Sequence, residues 1–399
     1  MPTPPAVTVP DRPAPARVVA AGSLALSVTV VPAFLTGALS RRIGDDLGFG
    51  AGAAGAAVAA FFVGAGLLAV PMGRVTERIG PALALRAGTA LSGACAALVA
   101  VAVHGWWQLC LALFVAGSAV GLVDTGAARA FGDVVPDGRH GSAFGVKEAS
   151  VPAASLLAGV SIPVLVDAIG WRPAFALGAA LVPLVWAVVP ALPARHMPTG
   201  GDAGGRAPAA FVLFAVGVGL GCGAATAAGT LLVPAIEDRG WAEGDAGLLL
   251  AAVSVASIAV RVAAGRRSDT RPGGAWRELT ALLAVGAAGA LLLAASDAGA
   301  AGVVGALAVI GGGWGWTGLA YLTAVRVGGQ RPAAAASVVL TGLSVGGAAG
   351  PAAFGAIASA SSYRAAWLAA TVALVLGAAA IAAARRRLDP PRARSQHPG

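Results

Sequence analysis

The chain has 399 residues, 57% of them hydrophobic and only 11% charged, with a formal net charge of +9. A soluble domain carries roughly 25% charged residues to wet its surface, so a water-facing globule is excluded and lipid must be the solvent for most of this surface. The apolar residues run in blocks of Ala, Leu, Val and Gly, far longer than the roughly ten-residue alternating segments of a membrane barrel, which leaves helices of about 20 residues.

Residues 1–16 (MPTPPAVTVPDRPAPA) are Pro-rich and read as a disordered cytoplasmic tail. The first apolar run, 18–39, is too long for the core of a cleaved signal and reads as helix one. Further membrane helices are predicted over 51–72, 82–103, 106–128, 143–166, 173–193, 209–235, 246–264, 278–296, 300–325, 334–358 and 365–384. The polar stretch from Arg195 to Arg206 divides them. We therefore expect a six-helix bundle at 17–194, a cytoplasmic loop at 195–208, a second six-helix bundle at 209–384 and a basic cytoplasmic tail at 385–399.

With the N-terminus inside, 22 of the 27 Lys and Arg residues fall on the cytoplasmic side. Arg41, Arg42, Arg172, Arg239 and Arg364 fall outside. Retention of cations on the cytoplasmic side explains the positive charge by topology, without nucleic acid. Both termini are then cytoplasmic, and the expected setting is the plasma membrane, with the chain a monomer. Cys95, Cys110 and Cys222 lie inside apolar blocks and read as packing residues. No His-Glu-x-x-His, phosphate loop or metal-spaced Cys pair is present, so no enzyme chemistry, metal or cofactor is expected.

An internal repeat organises the chain. Gly48, Phe49, Gly52, Ala54 and Gly55 recur as Gly240, Trp241, Gly244, Ala246 and Gly247. Gly73, Arg74 and Glu77 recur as Gly265, Arg266 and Asp269, and Trp171, Arg172 and Ala174 are echoed by Tyr363, Arg364 and Ala366. Every pair is 192 residues apart. Chance matches would scatter over offsets, so one value means duplication. Six helices per copy send both copies into the membrane in the same sense, as parallel repeats.

These features resemble the major facilitator superfamily over residues 17–384. The family's turn between helices two and three is matched by Gly73-Arg74-Val75-Thr76-Glu77-Arg78-Ile79-Gly80, with a degenerate copy at Gly265-Arg266-Arg267-Ser268-Asp269-Thr270. The resemblance implies an all-α membrane protein with twelve transmembrane helices in two pseudo-symmetric six-helix bundles. It also implies a conformational latch at Gly73, Arg74, Glu77, Arg78 and Gly80 and at Gly265, Arg266 and Asp269, favouring an outward-facing state. A carboxylate beside guanidinium groups at a helix end can pair with them and with a neighbouring helix N-terminus. The match is incomplete, because Pro81-Ala82 stands in place of the expected basic pair and Glu77 in place of the usual Asp. The stretch from Arg139 to Glu148, followed by Gly170-Trp171-Arg172, also resembles bacterial permeases, cyanate-permease-like ones among them. The glycine–proline signature of drug/proton antiporters is missing from helix five, and a similar segment, Gly346 to Pro351, sits in helix eleven.

Ionisable groups inside a membrane are costly and mark function by default. Asp124 lies about 9 Å into helix four at 1.5 Å per residue. Lys147, the chain's one lysine, and Glu148 lie at similar depth in helix five. Equal depth predicts an Asp124–Lys147 pair, with Arg129 near Glu148. Consecutive helical residues diverge by about 100°, so Lys147 and Glu148 are not expected to share a partner. Their symmetry-related positions hold Trp316, Val339 and Leu340. That asymmetry suits a site, where Asp124 or Glu148 could take up and release a proton; a static ion-pair cluster is the competing reading.

By resemblance, helices one, four, seven and ten line the cavity. The substrate contacts it suggests are Ser27, Thr29 and Thr36, then Thr125, then Thr226 and Thr230, then Trp314, Trp316, Thr317 and Tyr321. Trp106, Trp107, Trp171 and Trp241 fall at outer helix ends and read as interface anchors. Gly342, Gly346 and Gly350, four apart, predict close helix packing. The expected function is secondary active transport of a small polar or organic solute by alternating access, with proton coupling as the use of the buried carboxylates. Multidrug/proton efflux and a non-transporting membrane sensor stay open as alternatives.

Overall fold

The computed structural model describes residues 13–192, 209–271, 274–296, 299–327 and 332–388. The first half comprises α1 (Pro15–Ala38), α2 (Ala51–Leu67, continued by Ala69–Ile79), α3 (Pro81–Ala102) and α4 (Trp106–Val134). It is completed by α5 (His140–Ile169) and α6 (Arg172–Val188). In the second half stand α7 (Ala209–Glu237), α8 (Glu243–Thr270), α9 (Ala275–Ala295), α10 (Ala300–Ala324), α11 (Pro332–Ala360) and α12 (Tyr363–Leu388). A short helix, Ser40–Leu47, meets the first segment of α2 at 108° and lies outside its crossing. Twelve crossings put both ends of the chain on one side, called here the tail face; the opposite side is the far face.

Several helices outrun their apolar runs. Ladder hydrogen bonding does not stop where lipid stops, so α2 continues to Ile79, α4 to Val134 and α8 to Thr270. The motif from Gly73 to Gly80 is therefore not a turn. Gly73 through Ile79 are helical, and Gly80 alone reverses the chain, at φ 81°, where glycine meets no Cβ penalty. Its copy from Gly265 to Asp269 lies wholly within α8. Likewise the predicted tail at 385–399 begins too early. Arg385, Arg386 and Arg387 form the last turn of α12, where cations suit the helix dipole. The predicted central loop, 195–208, lies outside the described residues.

The duplication shows in contacts as well as in sequence. Arg172 Nη1 donates to the carbonyl of Val103 (2.9 Å), and Arg364 Nη2 to that of Ala295 (3.5 Å), each partner 192 residues on. Ser150 Oγ donates to the carbonyl of Ser23. Its counterpart Gly342 comes so close to the carbonyl of Ala215 that a Cβ would lie 2.4 Å from the oxygen. Gly346 and Gly350 press equally on the backbone of Gly219 and Gly223, which seats α11 on α7 as the four-residue spacing predicts. Between the halves, α1 packs on α7, α2 on α11 and α5 on α8.

One tryptophan corrects its predicted role. Trp171 is 6% exposed, edge-on to Phe175 with the Arg172 guanidinium 4.4 Å from its ring centroid. Packing has claimed a residue that its position marked as a lipid anchor. Trp107, 77% exposed, sits where an anchor should.

Candidate functional site

At the interface between the bundles, nearer the tail face than the far face, four charged side chains form one chain of contacts. Lys147 Nζ on α5 lies 2.5 Å from Asp124 Oδ1 on α4 and 3.1 Å from Glu148 Oε1. Glu148 Oε2 is 3.5 Å from Arg261 Nη1 on α8. Arg261 Nη1 also donates to the backbone carbonyl of Glu148 (2.6 Å) and to Thr317 Oγ1 on α10 (2.8 Å). Lys147, Glu148 and Arg261 are 1%, 7% and 2% exposed. Two carboxylates balance two cations, and the chain of contacts joins the halves.

The Asp124–Lys147 pair stands as predicted from depth. As expected, Lys147 and Glu148 share no third partner, for Lys147 takes Asp124 and Glu148 takes Arg261, but they also pair with each other. Their backbones diverge, but the four-carbon lysine stem lets one ammonium reach both carboxylates. Glu148 then turns to the opposite bundle and takes Arg261 as its partner, in place of the predicted Arg129. That residue is half-buried on α4 and has contacts of its own. The sequence places Arg261 among the few ionisable groups in the membrane but near the tail end of its apolar run, where the charge tally counts it as cytoplasmic and no partner is assigned to it. Its signal was plain enough, a lone cation inside the run 246–264.

Aromatic rings wall the cluster. Trp314 lies 5.2 Å from the Arg261 guanidinium carbon and packs on Phe34 of α1 at 5.8 Å. Tyr321 and Phe144 flank Lys147 at 5.4 Å and 5.8 Å. The glycine-rich run Gly311-Gly312-Gly313-Trp314-Gly315-Trp316 breaks α10 here. Gly313 N donates to the carbonyl of Ala308 in a wide turn, and Gly315 N to that of Gly312 in a tight one. This irregular backbone is tolerated at membrane depth because protein surrounds it. It sends Trp314 to the centre. Trp316 is instead fully buried within its own half, close to Gly221.

The predicted hydroxyl contacts are not gathered into this cluster, apart from Thr317. Ser27, Thr29, Thr36, Thr125 and Thr230 each donate to the carbonyl four residues back on their own helix, the common way a helical Ser or Thr is satisfied. Thr226 pairs with Cys222 Sγ at 3.6 Å, and Thr125 also donates to Thr76 Oγ1. Beside the cluster, Gly141, Gly145, Glu148, Arg261, Gly315 and Gly318 line a cavity of about 10 Å³, room for about one water.

Both faces carry contacts across the halves. At the far face Arg41 pairs with Glu237 (3.5 Å) and Asp238 (3.4 Å), and Arg42 bridges Asp167 of its own half to Glu243 of the other. At the tail face the second copy of the latch motif is engaged. Asp269 accepts from the backbone N–H groups of Gly141 (2.8 Å) and Ser142 (2.9 Å) and from Ser142 Oγ (2.5 Å). It thus caps the N-terminus of α5, and Gly265 packs on Gly141 and Gly145. Arg266 is exposed. In the first copy Arg74, Glu77 and Arg78 are exposed, and this tail segment of α2 packs on α3 and α4 of its own half. The docked second copy coexists with a far face that is also bridged, so the far face is not open.

The family model of the Major Facilitator Superfamily matches residues 16–326 and 213–399 of the chain. Among curated proteins, none matches it. The fold is similar to that of the human organic anion transporter MFSD10 (TETRAN), with TM-score 0.67 at 14% identity, over 93% of this chain and 100% of that one.

Proposed function

The chain belongs to the Major Facilitator Superfamily, a family of membrane transporters and not of enzymes, and from that premise we propose that it carries a small organic solute past the Asp124–Lys147–Glu148–Arg261 cluster by alternating access, coupled to protons. One observation carries this reading. The Glu148–Arg261 contact joins the halves through charges that are 7% and 2% exposed. Taking charges out of water costs several kcal/mol per ion, and a scaffold gains as much from well-packed apolar residues. A rocking motion of the halves must break this contact, and it can do so cheaply only if another ion or a proton replaces the lost partner. Glu148 is the group placed to take that proton. Asp124, half-buried behind Lys147, holds the lysine and keeps the local charge balanced.

The positive-inside bias supports placing the tail face in the cytoplasm. Moving Lys147 and Arg261 from the cytoplasmic tally to the membrane interior leaves 20 cations on that face against five on the other. Both termini are then cytoplasmic, and a plasma membrane is the proposed setting.

The test is proton movement driven by solute. Proteoliposomes loaded with pyranine are challenged with panels of small organic acids, amines and sugars, without an imposed gradient. A solute-dependent change in lumenal pH is expected, and it should vanish in Glu148→Gln. Unchanged proton movement in both Asp124→Asn and Glu148→Gln would remove the coupling role.

A further inference from the structure

The guanidinium of Arg261 is used on one nitrogen alone. Nη1 serves the Glu148 carbonyl, Thr317 Oγ1 and Glu148 Oε2. Nε and Nη2 are fully buried and have no hydrogen-bond partner among the described residues. These two nitrogens share one edge of the planar group. Their parallel N–H bonds form the fork that grips a carboxylate through both of its oxygens. Buried donors are almost always satisfied, so an open fork on a residue 2% exposed calls for a ligand.

We propose that Arg261 is the anion-binding residue of this transporter, that its Nε–Nη2 edge receives the carboxylate of the transported solute, and that Glu148, held on Nη1, is the internal carboxylate whose charge competes with that solute. The proposal deepens the transport reading and rests on the central cluster being the solute site.

The surroundings favour a carboxylic acid with a flat or apolar body. Trp314 covers the guanidinium and would meet the body of such a ligand. Gly145, Gly315 and Gly318 line the adjoining cavity, so space there widens as α5 parts from α8 and α10. The charge count selects a monoanion. Asp124 and Glu148 already balance Lys147 and Arg261, so one arriving carboxylate leaves one negative charge in excess. A proton from the aqueous phase on the open side cancels it by settling on Glu148. The groups facing Glu148 are Lys147 on its own helix, Asp124 behind that lysine, Arg261 from α8, Thr317 and Tyr321 from α10 and the Cys222 thiol from α7. Among them Glu148 is the group whose protonation leaves both cations in place to hold the anion.

The experiment uses the purified full chain in nanodiscs, titrated with benzoate, lactate and acetate, with benzamide and benzylammonium as uncharged and cationic controls, while tryptophan fluorescence is recorded. At least one acid is expected to bind about tenfold or more tightly than the controls. Its affinity should rise as pH falls, as Glu148 takes up a proton. Arg261→Gln should erase the preference for acids, and Arg261→Lys should weaken it by losing the fork. Glu148→Gln is the decisive variant, because it removes the internal competitor: acid binding should tighten about tenfold and lose its pH dependence. A purely structural cluster gives the reverse, looser binding in Glu148→Gln. Equal binding of acids and benzamide, no binding by any acid, or weakened binding in Glu148→Gln each overturns the proposal. Flux in proteoliposomes separates the two readings. Transport of uncharged solutes with no role for Arg261 sinks the anion site and keeps the transporter; Arg261-dependent acid binding without flux does the opposite.

Discussion

Ion pairs bridge the halves in two places, in different solvents. At the far face the bridging Arg41 and Arg42 side chains are 43% and 35% exposed, over Glu237 and Glu243 side chains at 11% and 12%, whereas the side chains of Lys147 and Arg261 in the central set are 2% and 1% exposed. Unit charges 4 Å apart attract by about 1 kcal/mol in bulk water and by several times more where the effective dielectric is lower. Exposed pairs of this kind are worth about 0–1 kcal/mol each, so thermal motion can open the far face. A buried pair is different. Stripping one partner from it costs about 3–5 kcal/mol, so the central charges can be rearranged only by exchange. The same residue types therefore make weakly held links at one site and a tightly held set at the other.

Breaking the buried set should give the largest effect. Lys147→Met leaves Asp124 and Glu148 without their shared cation, and a loss of about 3–5 kcal/mol is expected, read as a large drop in the unfolding temperature of the solubilised protein. Adding Asp124→Asn to it should restore part of the loss. A drop as small as that of a far-face variant would abolish the contrast.

Next comes the tail-face latch, intermediate in kind because a carboxylate there caps backbone N–H groups. Asp269→Ala should cost about 0.5–2 kcal/mol, the range for a lost N-cap. Faster hydrogen exchange at Gly141 and Ser142 is the direct readout. Smaller again is Arg42→Gln, expected to change stability by no more than about 1 kcal/mol while widening the far face. About 1 M salt, where the Debye length is near 3 Å, should widen the wild-type far face in the same way; double electron–electron resonance between labels on the two halves would measure it. Least of all is Glu77→Gln. With this residue exposed, it should leave the unfolding temperature unchanged, and a shift matching that of Asp269→Ala would mean that both latch copies are engaged.

The latch copies also show how far sequence reading reaches. Offset 192 correctly equates Glu77 with Asp269, yet equivalence in sequence does not say which copy is docked. The far-face gate was written in the same offset. Asp45 and Asp46 recur as Glu237 and Asp238, while Arg41 and Arg42 recur as Val233 and Pro234. At these four positions both halves carry acids and only the first carries arginines, and that imbalance lets Arg41 and Arg42 reach the acids of the other half. Depth found Asp124 with Lys147, because neighbouring helices leaving one loop must match residues of equal depth. Depth could not find Glu148 with Arg261, since these helices belong to different halves and no loop ties their registers.

Twelve crossings and a tandem duplication were decided by the chain itself. In lipid every backbone N–H and C=O must be bonded within its own segment, so run length alone dictates helix number, and a copied segment must repeat the solution. Which charge meets which was settled only when the bundles packed. That choice depends on which 100° sector of each helix faces its neighbour and on where α10 unwinds to bring Trp314 and Thr317 to Arg261. Hydropathy is blind to both, because it records how apolar a residue is and not the direction in which its side chain points.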